Sequence, residues 1–290
     1  MKKLILSVLL IPAVFSAQQN VSRDAEIANY VSQVSADSLK SHINKLVSFG
    51  TRHTMSSTTD AKKGIGAARN WVLSKFKNYA KNSDGRMEVF LQSQTIQPDG
   101  KRINQPTDLG NAIAILRGTD PNDKRIFMIG GHLDSRVSDV MNNKDFAPGA
   151  NDDGSGVGAV IESARVLSQS KFPATIIFVA FSGEEQGLLG AKMLAEKAKN
   201  ENWQLEALLN NDMVGNNLSS ETNLINANQL RVFSEGLPQF DLDKKAQGIR
   251  NLGLENDGEA RQLARYIKEV GERYVDNLEV KLIYRNDRFL

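Results

Sequence analysis

Gly131-His132-Leu133-Asp134 places an imidazole and a carboxylate two residues apart, directly after an apolar run. Residues two apart in an extended chain share a face, so both side chains can reach the same side of a strand end. A metal-binding imidazole usually donates its second N–H to a carboxylate or carbonyl, and Asp134 is the candidate for that orienting role. Three acidic clusters follow in order: Asn151-Asp152-Asp153-Gly154, Gly183-Glu184-Glu185 and Asn211-Asp212-Met213. Each has an ordinary alternative. An aspartate before a helix is a good N-cap, and acidic residues suit a helix's first turn. The pairs still allow a division of labour. One of Asp152 and Asp153 can cap the helix that opens at Gly154 while the other faces a cation. One of Glu184 and Glu185 can bind a metal while its neighbour acts as general base. Asp212 reads as an acid inside an apolar strand, Leu208 to Val214, where an unpaired carboxylate would be costly.

Histidine with several carboxylates suits Zn²⁺, and after it Mn²⁺ or Co²⁺. A carboxylate has two oxygens and can bridge two ions, roughly 3.5–4 Å apart in co-catalytic sites. Rival chemistries lack their residues. The chain has no cysteine, no Gly-x-Ser-x-Gly elbow, no Walker phosphate loop and no His-Glu-x-x-His helix. Of the other two histidines, His42 reads as a surface residue of an amphipathic helix and His53 as a loop residue outside the site.

The elements that must position these residues alternate along the chain. Apolar stripes predict two helices over 23–49, one through Ile27, Tyr30, Val31 and Val34 and one through Leu39, Ile43, Leu46 and Val47. A third carries Ile65, Ala68, Val72, Phe76 and Tyr79. Strands are predicted at Met87 to Leu91, Ala112 to Leu116 and Ile126 to Ile129. A helix from Gly154 to Leu167 precedes a strand at Thr175 to Phe181, apolar enough to be buried on both faces. Leu188 to Ala198 reads as helix, Ala260 to Tyr274 as a late helix and Val280 to Tyr284 as a last strand. This alternation indicates an α/β fold, a three-layer α/β/α sandwich on a mixed, mostly parallel sheet. Ligands gather beyond the carboxyl ends of such strands, where the acidic clusters fall.

Composition removes other classes. The formal net charge is +2 with both signs intermixed, so no nucleic-acid footprint appears. Lys2 and Lys3, an apolar stretch from Leu4 to Phe15, and Ser16-Ala17 read as an export signal over residues 1–17, too short for a lasting anchor. Export would end in the periplasm or outside the cell. Residues 18–110 read as a helical segment with the first strands, and 111–290 as the metal-binding core.

The runs Gly130-Gly131-His132-Leu133-Asp134-Ser135, Ala147-Pro148-Gly149-Ala150-Asn151-Asp152-Asp153-Gly154-Ser155-Gly156, Phe181-Ser182-Gly183-Glu184-Glu185-Gln186-Gly187-Leu188-Leu189-Gly190 and Asn211-Asp212-Met213-Val214-Gly215 resemble the co-catalytic di-zinc aminopeptidases. These include the bacterial leucyl aminopeptidase, aminopeptidase S and aminopeptidase Y types. By that resemblance His132 and Asp212 would hold one Zn²⁺, Asp152 would bridge two ions, and Glu185 would bind the second. Glu184 would be the general base and Asp134 would orient His132. The substrates would be peptides with a free N-terminus. The family's second histidine ligand comes from a late Gly-Asp-His loop after an Asp-Arg-Phe segment. This chain has Asp287-Arg288-Phe289-Leu290 and no histidine after His132, so it reads as a piece of a longer reading frame, impaired as it stands. Two alternatives stay open: a single-zinc enzyme like the glutaminyl cyclases, and a non-catalytic binding domain on the same scaffold.

Overall fold

The computed structural model describes residues 23–218, 225–235 and 258–285. The export signal read over residues 1–17, and the terminal segment 286–290, lie outside the described residues. In chain order the elements are α1 Ala25–Ser32, α2 Ala36–Val47, α3 Gly64–Ala80, β1 Met87–Ile96, β2 Thr107–Leu116, β3 Arg125–His132, α4 Gly154–Leu167, β4 Thr175–Phe181, α5 Leu189–Asn200, β5 Gln204–Asn210, β6 Gln229–Glu235, α6 Glu259–Tyr274 and β7 Glu279–Arg285.

Five strands form one sheet in the order β1-β2-β4-β3-β5, while β6 and β7 pair separately. The sheet is mixed. β1 with β2 and β2 with β4 run antiparallel, whereas β3 runs parallel to both β4 and β5. Side-chain alternation divides the interior into two cores. Ala112, Ala114, Leu116, Phe178 and Ala180 face one way and pack with residues of α2, α3 and α4. Ile113, Ile115, Ile177 and Val179 face the other way, toward Leu194 of α5. Helices therefore cover both faces of the sheet, giving the three layers that the alternation predicts. Asp24 caps α1 and Ser35 caps α2, each accepting backbone N–H groups that the helix start leaves unpaired.

The part of the sheet that matters for chemistry is the parallel trio β4-β3-β5, whose carboxyl ends point the same way. Close approach of α4 to β3 requires glycine at Gly131. A β-carbon there would stand 2.8 Å from the Gly156 carbonyl carbon and 3.0 Å from the Asp153 carboxylate. The start of α4 is thereby pressed against the last residues of β3.

Two expectations about elements need correction. The strand placed at Leu208 to Val214 is Gln204–Asn210, so Asp212 lies in the loop beyond the strand and not inside it. β5 pairs only with β3 in the described sheet, and this edge position leaves Leu205, Leu208 and Leu209 substantially exposed. After Asn211 the chain turns, with Met213 in the left-handed region at φ 51°. His42, expected at the surface, is 4% exposed. Its face of α2 packs on α4 and α3, with its ring 5.9 Å from that of Trp71 and 3.9 Å from the buried Glu162 carboxylate.

Replacing Gly131 with alanine should destabilise the fold by about 1–3 kcal/mol, because the added methyl meets backbone that cannot yield cheaply. Urea unfolding measures this. An unchanged midpoint would mean that α4 does not sit against β3 there.

Candidate metal centre

Asp153 assembles the centre. Its side chain caps α4, with Oδ1 accepting from Gly156 N at 2.8 Å. The same oxygen accepts from Met213 N at 3.3 Å, and Oδ2 accepts from His132 N at 2.9 Å. One buried carboxylate thus joins the end of β3, the start of α4 and the loop after β5. Its neighbours extend the seam. Asn151 Oδ1 accepts from Gly215 N at 3.0 Å, and Ser155 Oγ accepts from Val214 N at 3.0 Å. Each chain brought in carries a ligand candidate at or beside the bonded residue: His132 itself, Asp152 and Asp212.

The result is a compact donor group. One ligand atom from each of His132, Asp152 and Asp212 lies within 4.8 Å of the others. His132 Nε2 is 2.9 Å from Asp152 Oδ1 and 3.9 Å from Asp212 Oδ1. The histidine is buried, whereas the two aspartate side chains remain 49% and 41% exposed, so the donors open toward solvent. His132 Nδ1 lies 3.1 Å from the main-chain carbonyl of Asp134, which takes the Nδ1–H and leaves Nε2 as the outward donor. The Asp134 carboxylate is farther away, at 3.7 Å. Its expected orienting role toward the ring is therefore carried chiefly by its carbonyl.

The Asp134 carboxylate does something else. It is fully buried and accepts from Glu184 N at 3.2 Å, Glu185 N at 3.1 Å and the Thr54 hydroxyl at 3.1 Å. It therefore fixes the Glu184-Glu185 turn against the β3 end. Those glutamates lie in the loop before α5, which begins at Leu189, and so are not residues of that helix's first turn. Glu185 is not among the clustered donors. Its carboxylate pairs with Arg136, Nε to Oε2, at 2.6 Å.

Six carboxylates crowd this region: Asp134, Asp152, Asp153, Glu184, Glu185 and Asp212. Burial pushes the Asp153 carboxyl up to about 7, and it also raises Glu184, Glu185 and Asp212. Burial works against a charged His132, yet the carboxylates of Asp134 and Asp152 raise it to about 12. Neighbouring carboxylates contribute to both effects. One imidazole nitrogen and two carboxylates opening to solvent form a donor set that suits a divalent zinc ion and its need for charge. Zinc would have to displace the proton from the ring, so its uptake should rise with pH.

Several contributors have no local sequence signal. Arg52 is 1% exposed and donates to Leu133 O at 2.7 Å, Leu46 O at 3.2 Å, Pro148 O at 2.7 Å and Gly149 O at 2.9 Å. Burial lowers it to about 10, against the pull of Asp134, Asp153 and Asp152. It pins the loop before Asp152 to the β3 end. His53, read as a loop residue outside the site, is fully buried behind it and bonded to Val140 O at 3.0 Å. His53 Nδ1 accepts from Met55 N, so Nε2 carries the proton. Gln186 and Thr54 link His53 to Asp134. Donor counting favours the Gln186 oxygen facing His53 and its amide nitrogen facing Thr54, which frees the single Thr54 hydroxyl proton for Asp134.

Residues 111–279 match the family model described as Peptidase family M28. A probable zinc metalloprotease of Pyricularia oryzae is 40% identical over 268 residues, covering 92% of this chain and 53% of that relative. The chain therefore spans about half the length of the curated relative it matches. Among solved structures, the LapA aminopeptidase of Legionella pneumophila superposes with a TM-score of 0.63 at 19% identity, over 99% of this chain and 64% of its own. A glutaminyl cyclase of Bacteroides thetaiotaomicron superposes with a TM-score of 0.58 at 17% identity, over 87% and 77%. At such identities the two structures show a shared α/β fold and nothing of the reaction.

Asp153→Asn should cost about 1–3 kcal/mol in metal-free unfolding, since an amide cannot accept all three N–H groups. It should also weaken zinc binding. The sign with pH follows from a folded pKa of about 7 above the ordinary aspartate value of 3.8. Between these values the native state holds a proton that the unfolded state has lost, so stability falls as pH rises. The fall from pH 4 to pH 7 should be shallower in Asp153→Asn, by up to about 1.4 kcal/mol per pH unit. Parallel pH–stability curves for both proteins would contradict this assignment.

Proposed function

The chain belongs to peptidase family M28, and on that premise we propose that it carries the active site of a zinc-dependent aminopeptidase. The reading rests above all on one juxtaposition: His132, Asp152 and Asp212 cluster their donor atoms within 4.8 Å of one another. These three residues would hold one zinc. Asp152 has a second oxygen to share, and with Glu185 it would hold a second ion. When bound, zinc supplies Lewis-acid polarisation of the scissile carbonyl and stabilises the negative charge that develops on its oxygen.

Glu184 is the proposed general base. Its backbone is fixed by Asp134, while its carboxyl is raised by burial toward the range useful near neutral pH. It feels the charges of His132, Asp134, Glu185 and Asp212, so it stands in the same electrostatic cluster as the donors. In this role Glu184 accepts a proton from the attacking water and passes it to the leaving amine. Asp134 keeps His132 and Glu184 in fixed relation, because both of its polar groups are engaged. The substrates would be peptides with a free N-terminus. The charged, apolar and small residues over 1–17 support export as part of this reading.

A second reading has a specific observation behind it. The clustered donors alone make a one-metal set, as a glutaminyl-cyclase-like enzyme would use, and such an enzyme is among the matching folds. Product analysis separates the two. A peptide with N-terminal glutamine should yield free glutamine if the chain is an aminopeptidase, and an N-terminal pyroglutamyl peptide plus ammonia if it is a cyclase.

Glu184→Gln should lower kcat on an aminoacyl chromogenic substrate by about 10²–10⁴-fold while zinc binding persists. Steady-state kinetics with parallel metal analysis tests this. Unreduced turnover in the variant would remove Glu184 from the mechanism, and absence of zinc-dependent hydrolysis in the longer reading frame would remove the aminopeptidase reading.

A further inference from the structure

We propose that Arg136 governs how many metal ions this centre takes, by occupying Glu185 with its own positive charge. The proposal rests on the metal-centre reading above and deepens it. Arg136 stands two residues after Asp134, and its Nε donates to Glu185 Oε2 at 2.6 Å. Its Nη1 is anchored in its own loop by the carbonyls of Val137 and Ser138, each at 3.2 Å. The glutamate is equally committed. Its main-chain N–H is held by Asp134 at 3.1 Å, and its carbonyl accepts from Arg102 Nη1 at 2.7 Å. The pair is mostly shielded, with side-chain exposures of 32% for Arg136 and 14% for Glu185.

Three consequences follow from this geometry. Glu185 is left out of the donor group formed by His132, Asp152 and Asp212. Arg136 also feels the charges of Asp152 and Glu184, so its guanidinium neutralises the same corner that a second ion would. A guanidinium never loses its proton in water, so nothing but displacement frees the carboxylate. Metal loading is therefore stepwise. The first ion needs only the three clustered donors, while the second must part Arg136 from Glu185. The number of ions bound then follows the available zinc through a single ion pair.

The test is calorimetric titration of metal-free protein with Zn²⁺, with native mass spectrometry counting the ions. The parent should show one tight event and a second at least tenfold weaker. In Arg136→Gln the second event should strengthen at least tenfold while the first stays within twofold. Arg136→Met should behave as Arg136→Gln does, and Arg136→Lys should keep most of the parent's gap. Two equally tight events in the parent would overturn the proposal, as would an unmoved second event in both charge-free variants. Asp212→Asn separates this from the underlying reading. It should weaken the first event, and its failure to do so would sink the assignment of the first site rather than the role of Arg136.

Discussion

The three hydrogen bonds accepted by Asp153 are the constraint on which the centre depends. Parallel strands deliver their carboxyl ends to one edge, but adjacency of strands does not bring side chains within metal-binding reach. Here β3, the start of α4 and the loop after β5 are drawn together because His132 N, Gly156 N and Met213 N all need acceptors, and one buried carboxylate supplies them. The glycines Gly131 and Gly156 make this possible by removing the β-carbons that would fill the same space. Asp134 repeats the device one strand away, joining the β3 end to the Glu184-Glu185 turn.

Building a site from buried carboxylates has an electrostatic consequence. The groups that shape the centre add negative charge to a place already holding the donors, and burial first, with neighbouring carboxylates behind it, raises the pKa values of Asp153, Glu184, Glu185 and Asp212. The chain answers with what cations it has. His132 lies between Asp152 and Asp134, Arg136 neutralises Glu185, and Arg52 contributes from behind. A divalent ion is the natural partner of such an arrangement.

Much of this was legible in the sequence, for physical reasons. The apolar run Ala112 to Leu116 marks β2, and the structure sets Ala112 and Ala114 against one core and Ile113 and Ile115 against the other. The pairing of a capping aspartate with an outward one was readable from Asp152-Asp153 before Gly154. What failed was what depends on tertiary context. β5 differs from its expected bounds because an edge strand carries exposed leucines on the same footing as the turn residues Met213 and Val214. His42 is buried against the expectation because helical periodicity locates a stripe without saying how wide its buried margin is. Arg52 and Arg136 gave no local sign at all. The partners of Arg52 are mostly carbonyls brought by other segments, and the partner of Arg136 lies 49 residues along the chain.

Anomalous diffraction at the zinc edge from crystals of the zinc-loaded protein tests the central claim most directly. The account predicts a strong peak bounded by His132 Nε2 and the carboxylates of Asp152 and Asp212, with Asp153 still bonded to His132 N and Met213 N. A peak elsewhere, or none in protein shown to contain zinc, would contradict it.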